Sequence, residues 1–191
     1  DFKHIKEHSE GLICLSACLA GQVFLYMLEV YTRLDGFYVK PRIDFKHIKE
    51  HSEGLICLSA CLAGQIPRLL LEGKYEEAKA VAIEMRDTFA PGDFYIELQD
   101  HHLPEDRIVM NPLVQIAREI GVKVVATNDV HYIEKEDADI QDTMMCITLG
   151  CKKSEINGAR FDTDEFYLKS GDEMAHYFPS VLFLYSFSRN Y

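Results

Sequence analysis

The sequence predicts an α/β fold with parallel strands, on three observations. Short apolar runs alternate along the chain with longer segments that are apolar at helical spacing. Glycines stand where helices should stop, and the strand–helix order repeats three times. The 191 residues are 48% hydrophobic and 27% charged, the balance of a globular domain that buries a core.

The first predicted strand is Leu55–Ser59, apolar, brief and preceded by Gly54. Ser59 to Gly64 is the turn leaving its C-terminal end. A short helix follows from Ile66 to Leu71 and stops near Gly73. Tyr75 to Phe89 is amphipathic: Ala78, Val81, Ala82, Met85 and Phe89 fall on one face. Phe94 to Gln99 alternates apolar and polar residues, as a strand does. A second long helix opens at Pro104 and Glu105 and runs to Ile120, where Gly121 ends it. Pro112 inside it is expected to kink or split the helix. Val122–Thr127 is a β-branched strand, and Asp137–Leu149 a third helix stopped by Gly150.

Ahead of these elements lies an exact repeat. Residues 1–22 and residues 44–65 both read DFKHIKEHSEGLICLSACLAGQ. Repeats with an architectural role drift in sequence and recur several times. One perfect copy instead has the character of a recent duplication, a recombination scar or an assembly error. Residues 23–34 are an apolar stretch without a match. Asp35-Gly36 signals a turn, and Pro41 is expected to interrupt regular structure.

Formal net charge is −11, with 31 acidic against 20 basic residues. Binding to nucleic acid through phosphates draws on a surplus of Lys and Arg, so this segment is not expected to be a principal DNA grip. No run of about 18 uncharged apolar residues suggests a membrane span, and residues 1–4 do not begin a secretory signal. The missing initiator Met fits a chain cut from something longer. With a cytoplasmic setting expected, Cys14, Cys18, Cys57, Cys61, Cys146 and Cys151 read as free thiols or metal ligands, not as structural disulfides.

Chemistry is expected at the C-terminal ends of the strands, where parallel α/β proteins gather ligands. Thr127-Asn128-Asp129-Val130-His131-Tyr132 follows a predicted buried strand. If the chain stays extended there, the Asp129 and His131 side chains point to one side. A carboxylate with an imidazole suits zinc, manganese or iron. The alternative is that Asn128-Asp129 caps the next helix and His131 is a surface residue. Cys61, just past the first strand, is either a soft third ligand or a small buried hydrophobe. Cys57 reads as core. His51 reads as part of a turn, and His101 and His102 as surface residues within reach of a metal. No glycine-rich phosphate loop or serine nucleophile elbow is present.

Four of these segments carry a resemblance: residues 51–64 (HSEGLICLSACLAG), 94–101 (FYIELQDH), 124–132 (VVATNDVHY) and 160–170 (RFDTDEFYLKS). In order and spacing they resemble the PHP domain of bacterial DNA polymerase III alpha subunits. The resemblance covers residues 35–179, leaving 180–191 as an unmatched tail. The run Phe161–Ser170 points to the polymerase and not to stand-alone PHP proteins.

The resemblance implies a distorted, TIM-like β/α barrel whose strand ends hold up to three metal ions, often zinc or manganese. It implies a parent that is a DNA-directed DNA polymerase, in which this domain is either a 3′→5′ exonuclease or a structural platform. The implied partners are DNA and deoxynucleotides, the sliding clamp and a proofreading exonuclease. Matched motif by motif, Cys61, Asp129 and His131 are the implied metal ligands. Clustered metals would activate a water and stabilise the leaving oxygen of a phosphodiester.

The departures shape the expectation. The family's N-terminal His-x-His motif and further His, Asp and Glu ligands have no counterpart here, and no polymerase palm, fingers or thumb is present. The barrel is therefore expected to be incomplete, with unpaired strand edges and marginal stability. Metal binding is expected to be weak or absent, and exonuclease activity absent from this segment alone. A stand-alone metal-dependent PHP phosphoesterase and a metal-free interaction module are the alternatives.

Overall fold

In a computed structural model, residues 37–38, 40–41, 45–50, 52–155 and 162–179 are described. The first repeat copy, the apolar stretch 23–34, the His51 reading and the tail 180–191 lie outside them. The described elements, in chain order, are strands β1 (Phe37–Tyr38) and β2 (Lys40–Pro41), helix α1 (Phe45–Glu50), strand β3 (Cys57–Leu58), helices α2 (Gln65–Leu71) and α3 (Tyr75–Thr88), strand β4 (Phe94–Leu98), helix α4 (Pro104–Ile120), strand β5 (Lys123–Ala126), and helices α5 (Ala138–Leu149) and α6 (Gly171–Tyr177). Contacts divide the chain into two units. The predicted α/β class is observed.

The first unit takes in residues up to Glu97 together with Pro112–Val124. Its sheet has the order β3-β4-β5, with β3 and β4 parallel and Cys57 opposite Phe94. β3 is shorter than the predicted Leu55–Ser59. The Leu55 N–H turns back to Ser52 O at 3.1 Å, and Ala60, at φ 69°, swings the chain away at the other end. Leu58, Ile66, Ala78, Ala82, Phe89, Phe94 and Ile96 make up much of the core, so the predicted face of α3 is the buried one. Glu97 is buried and Tyr95 half-buried, because β4 is the central strand and is covered on both sides. Pro41 lies within β2, which pairs antiparallel with β1; a two-residue edge strand tolerates a residue without an N–H.

α4 runs unbroken through Pro112, so the expected split does not occur. Its C-terminal end is closed twice over. Gly121 takes φ 72°, which lets Val122 N–H reach back to Ala117 O at 3.0 Å. The Arg86 guanidinium donates to Ile120 O at 3.0 Å.

The second unit comprises Leu98–Asn111 and residues from Val125 onward. Its interior is unusually polar. Alongside Leu98, Val109, Tyr132, Cys146, Phe166 and Phe178 it buries His101, Asp106, Asp142, Glu165 and Lys169. A parallel bridge joins Tyr132 to Tyr167. α5 turns Asp142 and Cys146 inward and leaves Ile140, Met144 and Ile147 exposed. Among the described residues no helix is long and apolar enough to cross a membrane.

Candidate functional site

Cys61 belongs to the first unit. It sits half-buried in the turn that leaves β3, as a cysteine outside any disulfide. The turn is held at both ends. Buried Ser59 accepts the Glu97 N–H on its Oγ at 2.8 Å, and the Cys61 carbonyl accepts the Gly64 N–H at 2.7 Å. Gly64 is required by close approach: a Cβ there would lie 2.8 Å from Ser59 O and 3.0 Å from Cys61 O. Cys57, on β3 itself, is half-buried, and burial followed by the nearby Glu97 pushes its thiol up to about 12.

Asp129 and His131 belong to the second unit, in the loop after β5. The structure brings them together, with His131 Nε2 at 3.5 Å from Asp129 Oδ1 and each side chain about one-third exposed. They meet by a different route from the extended chain expected: Asp129 adopts φ 43°, the left-handed region, which aspartate tolerates better than most residues. Of the alternative reading, the helix cap does not hold, while His131 is exposed as that reading has it. A 3-10 turn, Lys135–Asp137, precedes α5, and a reciprocal capping box between Glu134 and Asp137 closes its start.

The loop is anchored by groups that nothing in the sequence marked out. Asn128 donates its side-chain N–H to Tyr167 O and accepts on Oδ1 from Lys169 Nζ at 3.1 Å. Lys169 also donates to Glu165 O and lies 3.3 Å from a Glu165 carboxylate oxygen. Its ammonium stands 4.4 Å from the Tyr167 ring centroid and 5.1 Å from that of Tyr177. Glu165 further receives Lys135 Nζ at 2.5 Å and the Tyr177 hydroxyl at 2.8 Å. Burial alone would raise the Glu165 carboxyl, but hydrogen bonds from Lys135, Tyr177 and Lys169 outweigh it and hold it at about 2.

His101 corrects the surface placement expected of it, being only 2% exposed. Its ring stacks on Phe166 at 4.0 Å, and its Nε2 lies 3.0 Å from Asn128 O. A carbonyl can only accept, so Nε2 carries the proton and offers no lone pair in this arrangement. The His101 N–H donates at 2.8 Å to buried Asp106, which also accepts from Leu103 N–H at the start of α4. His102 is exposed as expected. It stacks on Tyr177 and lies 3.8 Å from Glu165. Among the described residues no group of three or more His, Cys, Asp or Glu side chains is placed to hold a metal ion.

Comparison with known proteins shows what the chain is similar to. Residues 26–101 match the PHP domain. The chain is 44% identical over 173 residues to the DNA polymerase III subunit alpha of Borreliella burgdorferi, covering 91% of this chain and 15% of that protein. The Treponema pallidum subunit is 44% identical over 178 residues, again covering 91% of this chain and 15% of the relative. That of Thermus aquaticus is 40% identical over 171 residues, or 89% of this chain and 14% of the relative. The chain thus spans about 15% of the length of the curated relatives it matches, and what it matches is their PHP region. The PHP match contains Cys61, while Asp129 and His131 lie beyond its end at residue 101.

Proposed function

We propose that the chain is the PHP portion of a replicative DNA polymerase alpha subunit, working in the cytoplasm with DNA, deoxynucleotides and other replicase subunits such as a sliding clamp and a proofreading exonuclease. The observation that carries this is identity of 44% to DNA polymerase III alpha subunits across 91% of the chain. In the parent, template-directed DNA synthesis belongs to regions other than this one. The sheet β3-β4-β5 would be one sector of a distorted β/α barrel, with Cys61 following β3 in the chain and Asp129 and His131 following β5.

The donors suit a divalent metal in kind but not in number. Asp129 and His131 supply one carboxylate oxygen and one imidazole nitrogen side by side, the chemistry of a zinc or manganese site. The described residues complete no set of three, so no chemical step is routed through a metal here. When bound in a full site, the metal would supply Lewis-acid activation of water. The part of this chain is to hold the Asp129–His131 loop in place through Asn128, Lys169 and Glu165.

Two measurements test the proposal. Extending the coding sequence downstream should reveal a polymerase region with clustered aspartates; a stop codon directly after Tyr191 would refute the polymerase assignment. Elemental analysis of the chain dialysed against zinc or manganese should find less than one ion per chain. Stoichiometric, tightly held metal that persists in an Asp129→Asn/His131→Ala double variant would refute the assignment of these ligands.

A further inference from the structure

The end of α5 holds a pair of thiols that the polymerase reading leaves unused. Gly150 adopts φ 65°, its N–H donates to Ile147 O at 3.3 Å, and the Cys151 N–H donates to Cys146 O at 3.1 Å. That pattern is the Schellman helix stop. It brings together the side chains of the third residue before the helix cap and the second residue after it. Those two residues here are Cys146 and Cys151. Both are free thiols, Cys146 buried at 7% exposure and Cys151 half-buried. Burial, and after it the neighbouring Cys151 thiol, raises the Cys146 pKa.

We propose that Cys146 and Cys151 are a redox-active dithiol that closes to an intramolecular disulfide by exchange with a low-molecular-weight disulfide of the glutathione type. A disulfide requires closely placed Cβ atoms, and the helix stop turns these two residues toward each other. Cys151, the more accessible sulfur, attacks the small disulfide. A mixed disulfide forms and one small thiolate leaves. Cys146 then attacks the Cys151 sulfur, and the second small thiolate leaves. The protein loses two electrons and two protons; the small disulfide gains both and becomes two thiols. A bridge across so tight a turn is strained, which places it among the labile, reversible disulfides and not the structural ones. That suits a reducing compartment, where disulfides are transient. Its effect is to weld the last turn of α5 to the segment that leaves it.

Both cysteines fall in one tryptic peptide, Glu136–Lys152. After incubation of the 191-residue chain with oxidised glutathione, mass spectrometry should find that peptide lighter by two hydrogens, and dithiothreitol should restore it. Cys146→Ser should instead accumulate a glutathione adduct on Cys151. The same exchange in denaturing urea should give less of the closed peptide. A stable adduct on Cys151 in the unaltered chain would overturn the proposal, as would bridges from either residue to another cysteine. Equal closure in urea would also overturn it, because proximity along the chain and not the helix stop would then make the pair.

Discussion

Replacing Glu165 by Gln keeps the shape of the side chain and removes the charge on which Lys135 and Lys169 converge. The carboxyl is held at about 2 against an ordinary 4.5, and the side chain is only 5% exposed, so little solvent screening applies. At about 1.4 kcal/mol per pH unit, that preference for the charged form is worth about 3 kcal/mol of stability. The sign follows from the depressed folded value. The contribution is complete above the unfolded pKa of 4.5 and is lost as pH falls through about 2. E165Q should therefore unfold in urea with about 3 kcal/mol less stability than the parent at about pH 7, and the gap should shrink steadily toward about pH 3. The chain has no tryptophan, so far-ultraviolet circular dichroism is the natural readout. Comparing the two proteins at each pH cancels the other acidic groups. A gap below about 1 kcal/mol at neutral pH, or one that stays constant on acidification, would show that the knot does not hold the carboxylate as described.

Two further outcomes concern the turn that carries Cys61 and the strand before it. Gly64→Ala should cost about 1–3 kcal/mol, because the added Cβ meets the Ser59 carbonyl and has no flexible neighbour to displace; a thermal melt unchanged from the parent would contradict this. With its thiol pushed up to about 12, Cys57 should be alkylated by iodoacetamide more slowly than Cys61 in the native chain at mildly alkaline pH. Equal rates in peptide mapping would refute that ordering.

The regular elements were legible in the sequence because each carries its own local signal. Gly121 and Gly150 stop α4 and α5 where expected, and the apolar face of α3 is the buried one. Residue type places His101 at the surface, yet its ring is stacked under Phe166, and the alternating strand β4 is central and buries Glu97. Polarity predicts exposure only until a partner from distant sequence arrives to satisfy it. That Asp129 and His131 lie side by side was readable from their spacing after an apolar strand. Their supports were not: Lys169 is 41 residues from Asn128, and a lysine near the end of Asp-Thr-Asp-Glu-Phe-Tyr-Leu-Lys-Ser looks like any solvated cation. The inward face of α5, carrying Asp142 and Cys146, likewise inverts the usual amphipathic code.

The knot around Glu165 has an evolutionary consequence. An apolar core drifts by small steps, since one hydrophobic residue often substitutes for another at modest cost. Glu165, Lys169 and Asn128 lack that freedom. A first change at any of them strands a buried charge or a half-buried amide, and only a second change elsewhere repairs it. Descendants of this chain should keep the trio intact or lose it together, while neighbouring Leu168, its side chain exposed, varies freely.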